Sequence, residues 1–221
     1  MNYPKIQTLW KRDTSRNGVI MEGEYSREEF ENVQYWDISE KIDGMNIRVT
    51  HTDDSLFYGS LILFNGRTEN AIIPGPLLVH LKRVFTRKFF STSFPGAKSI
   101  TIFGEGYGPK IQKGGGLYRK NVSFVGFDIY VDGLWLKQID VYDILSNACI
   151  PVVPCLGSGT ILEIVKLVRR YPRSVIAEEK KPMEGVVARS YPLMLFRNGN
   201  PMMFKLKAKD FQDLEAEKNR K

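Results

Sequence analysis

Lys41 is the residue whose surroundings most suggest chemistry. It lies in SEKIDGMNIRV, residues 39–49, between Glu40 and the pair Asp43-Gly44, within a pattern of apolar and β-forming residues at Trp36, Ile38, Ile42, Ile47 and Val49. Such a pattern presents the lysine from a strand with carboxylates on either side. A lysine is a nucleophile only as the free amine, and its unperturbed pKa of about 10.4 leaves it almost wholly protonated at neutral pH. Desolvation and nearby cations favour the neutral amine, and the chain offers Arg48, Arg67, Lys205 and Lys207 as such cations. The plainer alternative is a solvated lysine ahead of an ordinary Asp-Gly turn.

Further stretches carry residue types suited to an anionic ligand. Arg67 follows Asn65-Gly66; its fork suits ribose or phosphate oxygens, although a strand-end arginine is commonly just solvated. Glu105 sits in GEGYGPKIQKGGG, at the end of a strand among small neighbours, where its carboxylate could accept sugar hydroxyls or hold a hydrated metal. Glycines there let backbone approach a ligand closely. The spacing of Gly104, Gly106 and Gly108 is not a dinucleotide fingerprint, and the residues that follow do not open a helix. Lys110, Lys113, Arg119 and Lys120 make the next loop strongly basic, as a phosphate site requires; a loop that uses glycine merely to turn is the alternative. Glu184 opens EGVVARS, and residues 204–209 read FKLKAK. Strand alternation puts Lys205, Lys207 and Lys209 on one face, where they repel unless an anion sits among them or the face is open to solvent.

The elements that must position these residues follow from periodicity. An Asn17-Gly18 turn implies a hairpin reaching Val19-Ile20-Met21, and Ser26 with Glu29 reads as a capping box opening a short helix with Phe30. The Lys41 strand continues through Met45, Ile47 and Val49 to a turn at Asp53-Asp54. A strand over 56–64 follows, ending at Asn65-Gly66, so the sheet should be antiparallel. Residues 76–90 have helical spacing, with Leu77, Leu78, Leu81, Val84 and Phe85 on one face and Lys82, Arg83, Arg87 and Lys88 on the other. Strands are expected over 100–103 and 122–131. In the latter, Val125, Phe127 and Ile129 share one face and Phe124, Asp128 and Tyr130 the other; an aromatic in such a strand is ordinarily core. Asp140 reads as the cap of a helix over 141–148, and Thr160 with Glu163 as a capping box for 161–170. From about Asp210 the chain is a short, highly charged helical tail.

At 221 residues, 43% hydrophobic and 26% charged, the composition is that of one soluble globular domain, 1–221, with no linker or repeat. No apolar run suits a membrane span and the N-terminal residues lack a signal peptide's apolar segment, so an intracellular, cytoplasmic protein is expected. Two cysteines and two histidines exclude a zinc constellation; Cys149 and Cys155, in CIPVVPC, read as buried and reduced. A formal charge of +7 favours polyanionic partners, nucleic acid above all.

Taken in order, lysine with Asp-Gly, arginine, glutamate in a glycine-rich segment, aromatic with aspartate, Glu-Gly-Val-Val-Ala-Arg and Lys-Leu-Lys form a set. It resembles the covalent nucleotidyltransferase superfamily of polynucleotide ligases and mRNA capping enzymes. The wording YPKIQTLWKRD, EGEYS, EKIDGMNIRV, GRTENA, GEGYGPKIQKGGG and FKLKAKDF is most similar to the RNA ligases, in particular short bacterial and phage ligases of type 2. The resemblance covers about Ile6 to Phe211. It implies an α+β fold of two mostly antiparallel sheets flanked by helices, without an OB domain, and an ATP-dependent enzyme with Mg²⁺, or Mn²⁺ in its place. Lys41 would be the nucleophile that takes AMP as a phosphoramidate, flanked by Glu40 and Asp43. Arg67 would contact sugar and phosphates, with Arg48 also at the nucleotide, Glu105 on the ribose and Phe127 stacked on adenine. Glu184 would support the metal, and Lys205 and Lys207 the α-phosphate. The implied substrate is RNA with 5′-phosphate and 3′-hydroxyl ends, as a nicked duplex held by Lys110, Lys113, Arg119 and Lys120, with the chain acting as a monomer or helped by an accessory domain or protein. The rival readings are an ATP-dependent DNA ligase and a non-enzymatic nucleic-acid-binding module.

Overall fold

Strand alternation in Tyr35–Glu40, Gly185–Tyr191 and Met203–Lys207 puts Ile38, Ala188 and Phe204 opposite one another on one face, and Ser39, Val187 and Lys205 on the other. Burying the first set organises half of the molecule. The computed structural model describes residues 2–54, 59–68 and 70–218. The chain divides into two units, one of Pro4–Ile42, Pro154–Ile176 and Lys180–Lys221, the other of Met1–Tyr3, Asp43–Val153 and Ala177–Glu179.

The first unit is built on a 5-stranded sheet in the order Gln7–Thr8, Met203–Lys207, Gly185–Tyr191, Tyr35–Glu40, Cys155–Gly159. Neighbours are antiparallel except the parallel pair Gln7–Thr8 and Met203–Lys207. Its apolar face packs Trp36, Phe204, Val186 and Leu206 against Phe30, Leu9 and the helix Ile161–Arg169. Trp36 meets Phe204 at 4.7 Å between ring centroids and Phe30 at 5.7 Å; each such side chain contributes roughly 1.5–3 kcal/mol by burial. The Thr160–Glu163 capping box forms as the sequence requires. A hairpin of Trp10–Asp13 and Val19–Tyr25 turns through Asn17 and Gly18, both with positive φ.

The second unit carries another 5-stranded sheet, ordered Gly59–Gly66, Met45–Asp54, Ser99–Tyr107, Ser123–Val131, Leu134–Trp135, all antiparallel. Ile47, Val49, Ile100, Ile102, Phe124 and Ile129 face the core with Leu77, Leu81, Phe90, Val141 and Leu145 from the helices Gly75–Val84, Arg87–Ser93 and Gln138–Asn147. The α+β class and the two mostly antiparallel sheets expected from the sequence are both present.

Several local expectations need correction. The helix over 76–90 is two helices, because the Thr86 hydroxyl accepts from the Phe89 amide at 3.2 Å and starts a new one. Ser26 does not cap: its hydroxyl donates to the Thr8 carbonyl, and Glu28–Asn32 forms a 3₁₀ turn. Asp140 lies inside the first turn of Gln138–Asn147, which begins after Lys137. Asp53 and Asp54 remain in their strand, and Asn65-Gly66 closes Gly59–Gly66 rather than turning; residues 56–58 of that predicted strand lie outside the described residues. Ser99–Tyr107 runs past the end expected at Phe103, so Glu105 lies within the strand near its end. The last strand stops at Lys207 and a helix begins at Ala208, so Lys209 leaves the lysine face. The tail is helical over Ala208–Lys218, and 219–221 lie outside the described residues. Cys149 and Cys155 are free but exposed; their neighbours Ile150 and Val153 fill the core in their place. Among the described residues no helix is long and apolar enough to cross a membrane.

A β-bulge changes the reading of Ser123–Val131. Phe103 pairs with Asp128 but Gly104 with Gly126, leaving Phe127 as the extra residue. Alternation is interrupted there, so Phe127 and Asp128 both meet Tyr3, the ring at 5.0 Å between centroids and the carboxylate through the Tyr3 hydroxyl at 2.5 Å. Phe124 faces the core instead. The pairing needs glycine at 104, since a Cβ there would lie 2.1 Å from Phe124 Cζ and 2.4 Å from the Val125 carbonyl oxygen. Gly104→Ala is expected to cost about 1–3 kcal/mol by overpacking, read from denaturant melts, whereas Gly116→Ala, with nothing within 4 Å of its new Cβ, leaves the midpoint nearly unchanged.

Candidate active site

Lys41 follows directly on the strand Tyr35–Glu40, and its amide continues the ladder by donating to the Gly185 carbonyl at 2.9 Å. This brings its side chain to Glu184, the residue just before Gly185–Tyr191. Lys41 Nζ lies 2.6 Å from Glu184 Oε2, and Lys207 Nζ lies 2.7 Å from Oε1. The Glu184 main chain joins the same knot, its carbonyl accepting from the Ala208 amide at 2.9 Å. Strands approach this closely because residue 185 is glycine: a Cβ would stand 2.2 Å from the Leu206 carbonyl oxygen and 2.7 Å from Lys207 Cα.

The Glu184 side chain is only 18% exposed. Burial pushes its carboxyl upward, but the charge of Lys41 and the hydrogen bonds from Lys207 and Lys41 outweigh this and hold it below the usual glutamate value. Lys205 shares the sheet face with Lys207, two residues away on the same strand. Two lysines on one carboxylate leave an excess of positive charge, which suits a phosphate group.

Glu40, although adjacent to Lys41, is not on that face. It pairs with Val186 on the core side of the sheet and is 1% exposed. Its carboxylate accepts from the Ser174 hydroxyl and from the Val175 amide at 2.8 Å. The pleat therefore turns Glu40 into an anchor for the segment at 174–175, a use the sequence does not signal.

The remaining predicted residues belong to the other unit. Asn46 pairs with Glu105 and Arg48 with Phe103, so Arg48 and Glu105 share a face of that sheet. Arg48 is 8% exposed and donates to Asn2 Oδ1. Phe127 and Asp128 join them at the bulge, with Gln138 Nε2 donating to Asp128 Oδ1 at 3.1 Å. Gly44 meets the same sheet, where a Cβ would fall 2.3 Å from the Gly106 carbonyl oxygen and 2.8 Å from Glu105 Cγ. Gly44 is thus a packing requirement, at a bend and not a turn. The Asp43 amide donates to the Tyr118 hydroxyl at 3.0 Å, and Gln112 Nε2 donates to the Gly44 carbonyl at 3.3 Å. Tyr118, fully buried, was hidden in the sequence because one tyrosine in a basic, glycine-rich tract carries no pattern. Lys110, Lys113 and Lys120 of this loop are exposed, while Arg119 lies over the Tyr107 ring at 5.9 Å. Arg67 is exposed just beyond its strand. Among the described residues no group of three or more His, Cys, Asp or Glu side chains is arranged to hold a metal ion.

A model of the RNA ligase family matches residues 34–207, from the start of the Lys41 strand to the last lysine of the knot. The chain belongs to the RNA ligase family. Solved structures of an RNA ligase from Naegleria gruberi resemble it at 17% sequence identity. A variant of that enzyme with AMP and Mn has a TM-score of 0.66, covering 97% of this chain and 58% of the other. The enzyme with PPi has 0.65, covering 98% and 58%, and a variant with ATP and Mn 0.65, covering 97% and 58%. This RNA ligase family member therefore spans little more than half the length of those chains. A sequence comparison with curated proteins finds no match.

The low Glu184 pKa ties the knot to pH. A carboxyl whose folded value lies below its unfolded value contributes stability that is present above the unfolded value and lost as pH falls through the folded one. Unfolding free energies of the wild type and Glu184→Gln are therefore expected to differ at neutral pH and to converge on acidification below the ordinary glutamate range; a difference that stays constant to low pH would contradict the ion-paired carboxylate.

Proposed function

We propose that this chain catalyses the ATP-dependent joining of RNA ends through AMP carried on Lys41. The observation that carries this reading is the Glu184 carboxylate shared by Lys41 and Lys207. It supports the reading because Lys41 and a second cation, Lys207, meet at one carboxylate in a member of the RNA ligase family.

In the first step Lys41 Nζ attacks the α-phosphorus of ATP. A P–N bond forms, the bond from α-phosphorus to the bridging oxygen breaks, pyrophosphate leaves, and the amine gives up a proton to solvent. The lone pair is available only once the contact with Glu184 is released. Lys205 and Lys207 balance charge that grows on the α-phosphate in the transition state. Arg48, Arg67 and Glu105 hold sugar and phosphate oxygens, Phe127 stacks on adenine, and Asp43 and Glu40 flank the lysine, the latter through its grip on residues 174–175.

Glu184 is an oxygen donor of the kind that holds Mg²⁺ or Mn²⁺ together with substrate phosphates, which does not require an all-protein cage. Glu184 would hold such an ion, which would supply charge stabilisation on the phosphates. AMP then passes from Lys41 to a 5′-phosphate, and a 3′-hydroxyl displaces it to seal the strand. Lys110, Lys113, Arg119 and Lys120 hold the nucleic acid, which we take to be a nicked duplex. The chain acts in the cytoplasm as a single nucleotidyltransferase domain, either alone as a monomer or helped by an accessory domain or protein.

Intact mass spectrometry tests this. Incubation with ATP and Mg²⁺ is expected to add one AMP to the wild type, with none on Lys41→Ala and none from GTP or NAD, and added pyrophosphate should remove it. Sealing of RNA-ended but not all-DNA nicks then separates an RNA ligase from a DNA ligase. Failure of any nucleotide to attach would overturn the covalent mechanism and leave a nucleic-acid-binding module.

A further inference from the structure

The helix Ala208–Lys218 begins on the residue after Lys207, with Asp210 in its first turn. Amides at the start of a helix lack partners within it, and an acid there both accepts one and faces the positive end of the helix dipole. The amide that Asp210 takes is that of Lys207 itself, at 3.2 Å to Oδ2. Its other oxygen, Oδ1, lies 2.6 Å from Arg12 Nη2. Only 5% of the Asp210 side chain is exposed, and a carboxylate so buried keeps its charge only beside a partner. Arg12 is in turn fixed by Thr8 Oγ1 at 3.3 Å and the Gly18 carbonyl at 2.8 Å. Trp10, on the same strand as Arg12, packs edge-on against Phe211 at 6.0 Å. Consecutive residues at the helix start are therefore held by one strand of the hairpin, one through an ion pair and one through a ring contact.

We propose that Asp210, with its charge balanced by Arg12, is a positioning residue for Lys207. The proposal rests on the adenylylation reading above. Lys207 is held at its own amide by Asp210, at the following amide by the Glu184 carbonyl, and at Nζ by the Glu184 carboxylate. A free lysine side chain has many rotamers to lose on being ordered, so the backbone from which it springs decides how readily Nζ finds a phosphate. Asp210 fixes that origin without touching the nucleotide. Its effect should appear in the transition state, where Lys207 meets growing charge, and not in ATP binding.

The rate of AMP attachment to Lys41, followed by intact mass over a range of ATP concentrations, tests this with wild type, Asp210→Asn, Lys207→Ala and the double variant. Asp210→Asn should lower the rate at saturating ATP about tenfold while changing the half-saturating ATP concentration less than about twofold. In the Lys207→Ala background the same change should alter the rate less than about twofold, because a residue that acts through another loses its effect when that partner is gone. Equal fractional losses in both backgrounds, or no loss in the wild type, would overturn the proposal. Thermal melts establish that each variant is folded; if Asp210→Asn is not, Arg12→Gln takes its place in the cycle with the same deciding results. Wild-type protein that acquires no AMP overturns the functional reading and this proposal with it. Wild-type adenylylation with multiplying losses overturns this proposal alone.

Discussion

A largely buried carboxylate held between two lysines is the constraint on which this structure depends. Lys41 and Lys207 both reach Glu184 and hold its carboxyl below the usual glutamate value, and removal of one partner of such a group leaves its charge less compensated. Three chain segments must therefore end at one place. The backbone meets that demand through Lys41 to Gly185 and Ala208 to Glu184, and through a glycine where any side chain would strike the next strand. The apolar side of the same sheet, with Trp36 and Phe204 at its centre, keeps the strands in register so that the polar side can hold charges that would otherwise drive them apart.

Much of this was legible in the sequence because alternation along a strand is a strict rule. Lys205 and Lys207 share a face for that reason, and Thr160 with Glu163 announced a helix start that forms as expected. What escaped was whatever breaks a period or depends on distant chain. The bulge at Phe127 adds one residue to a strand and brings together two side chains that alternation sets apart. Thr86 divides a helix while the apolar spacing on either side stays continuous. Glu40 stands next to Lys41 in the chain, yet neighbours on a strand point to opposite faces, and the partner that occupies it, Ser174, is 134 positions away. Asp210 reads as the start of a highly charged helical tail because its counter-ion, Arg12, comes from the other end of the sequence.

The residues proposed for function are distributed over both units. Lys41, Glu184, Lys205 and Lys207 belong to one, and Asp43, Arg48, Arg67, Glu105 and Phe127 to the other. Lys41 is two residues from Asp43, whose amide is tied to the buried Tyr118. Glu40 and Tyr118 each act within their own unit, one by anchoring residues 174–175 and the other by holding the Asp43 amide.

The exposed thiols offer a use that has nothing to do with redox chemistry. Cys149 lies in one unit and Cys155 in the other, both free at the surface, and they are the only cysteines in the sequence. Capture of each thiol by a maleimide, followed by peptide mass, would then report surface access in each unit separately without any engineered site.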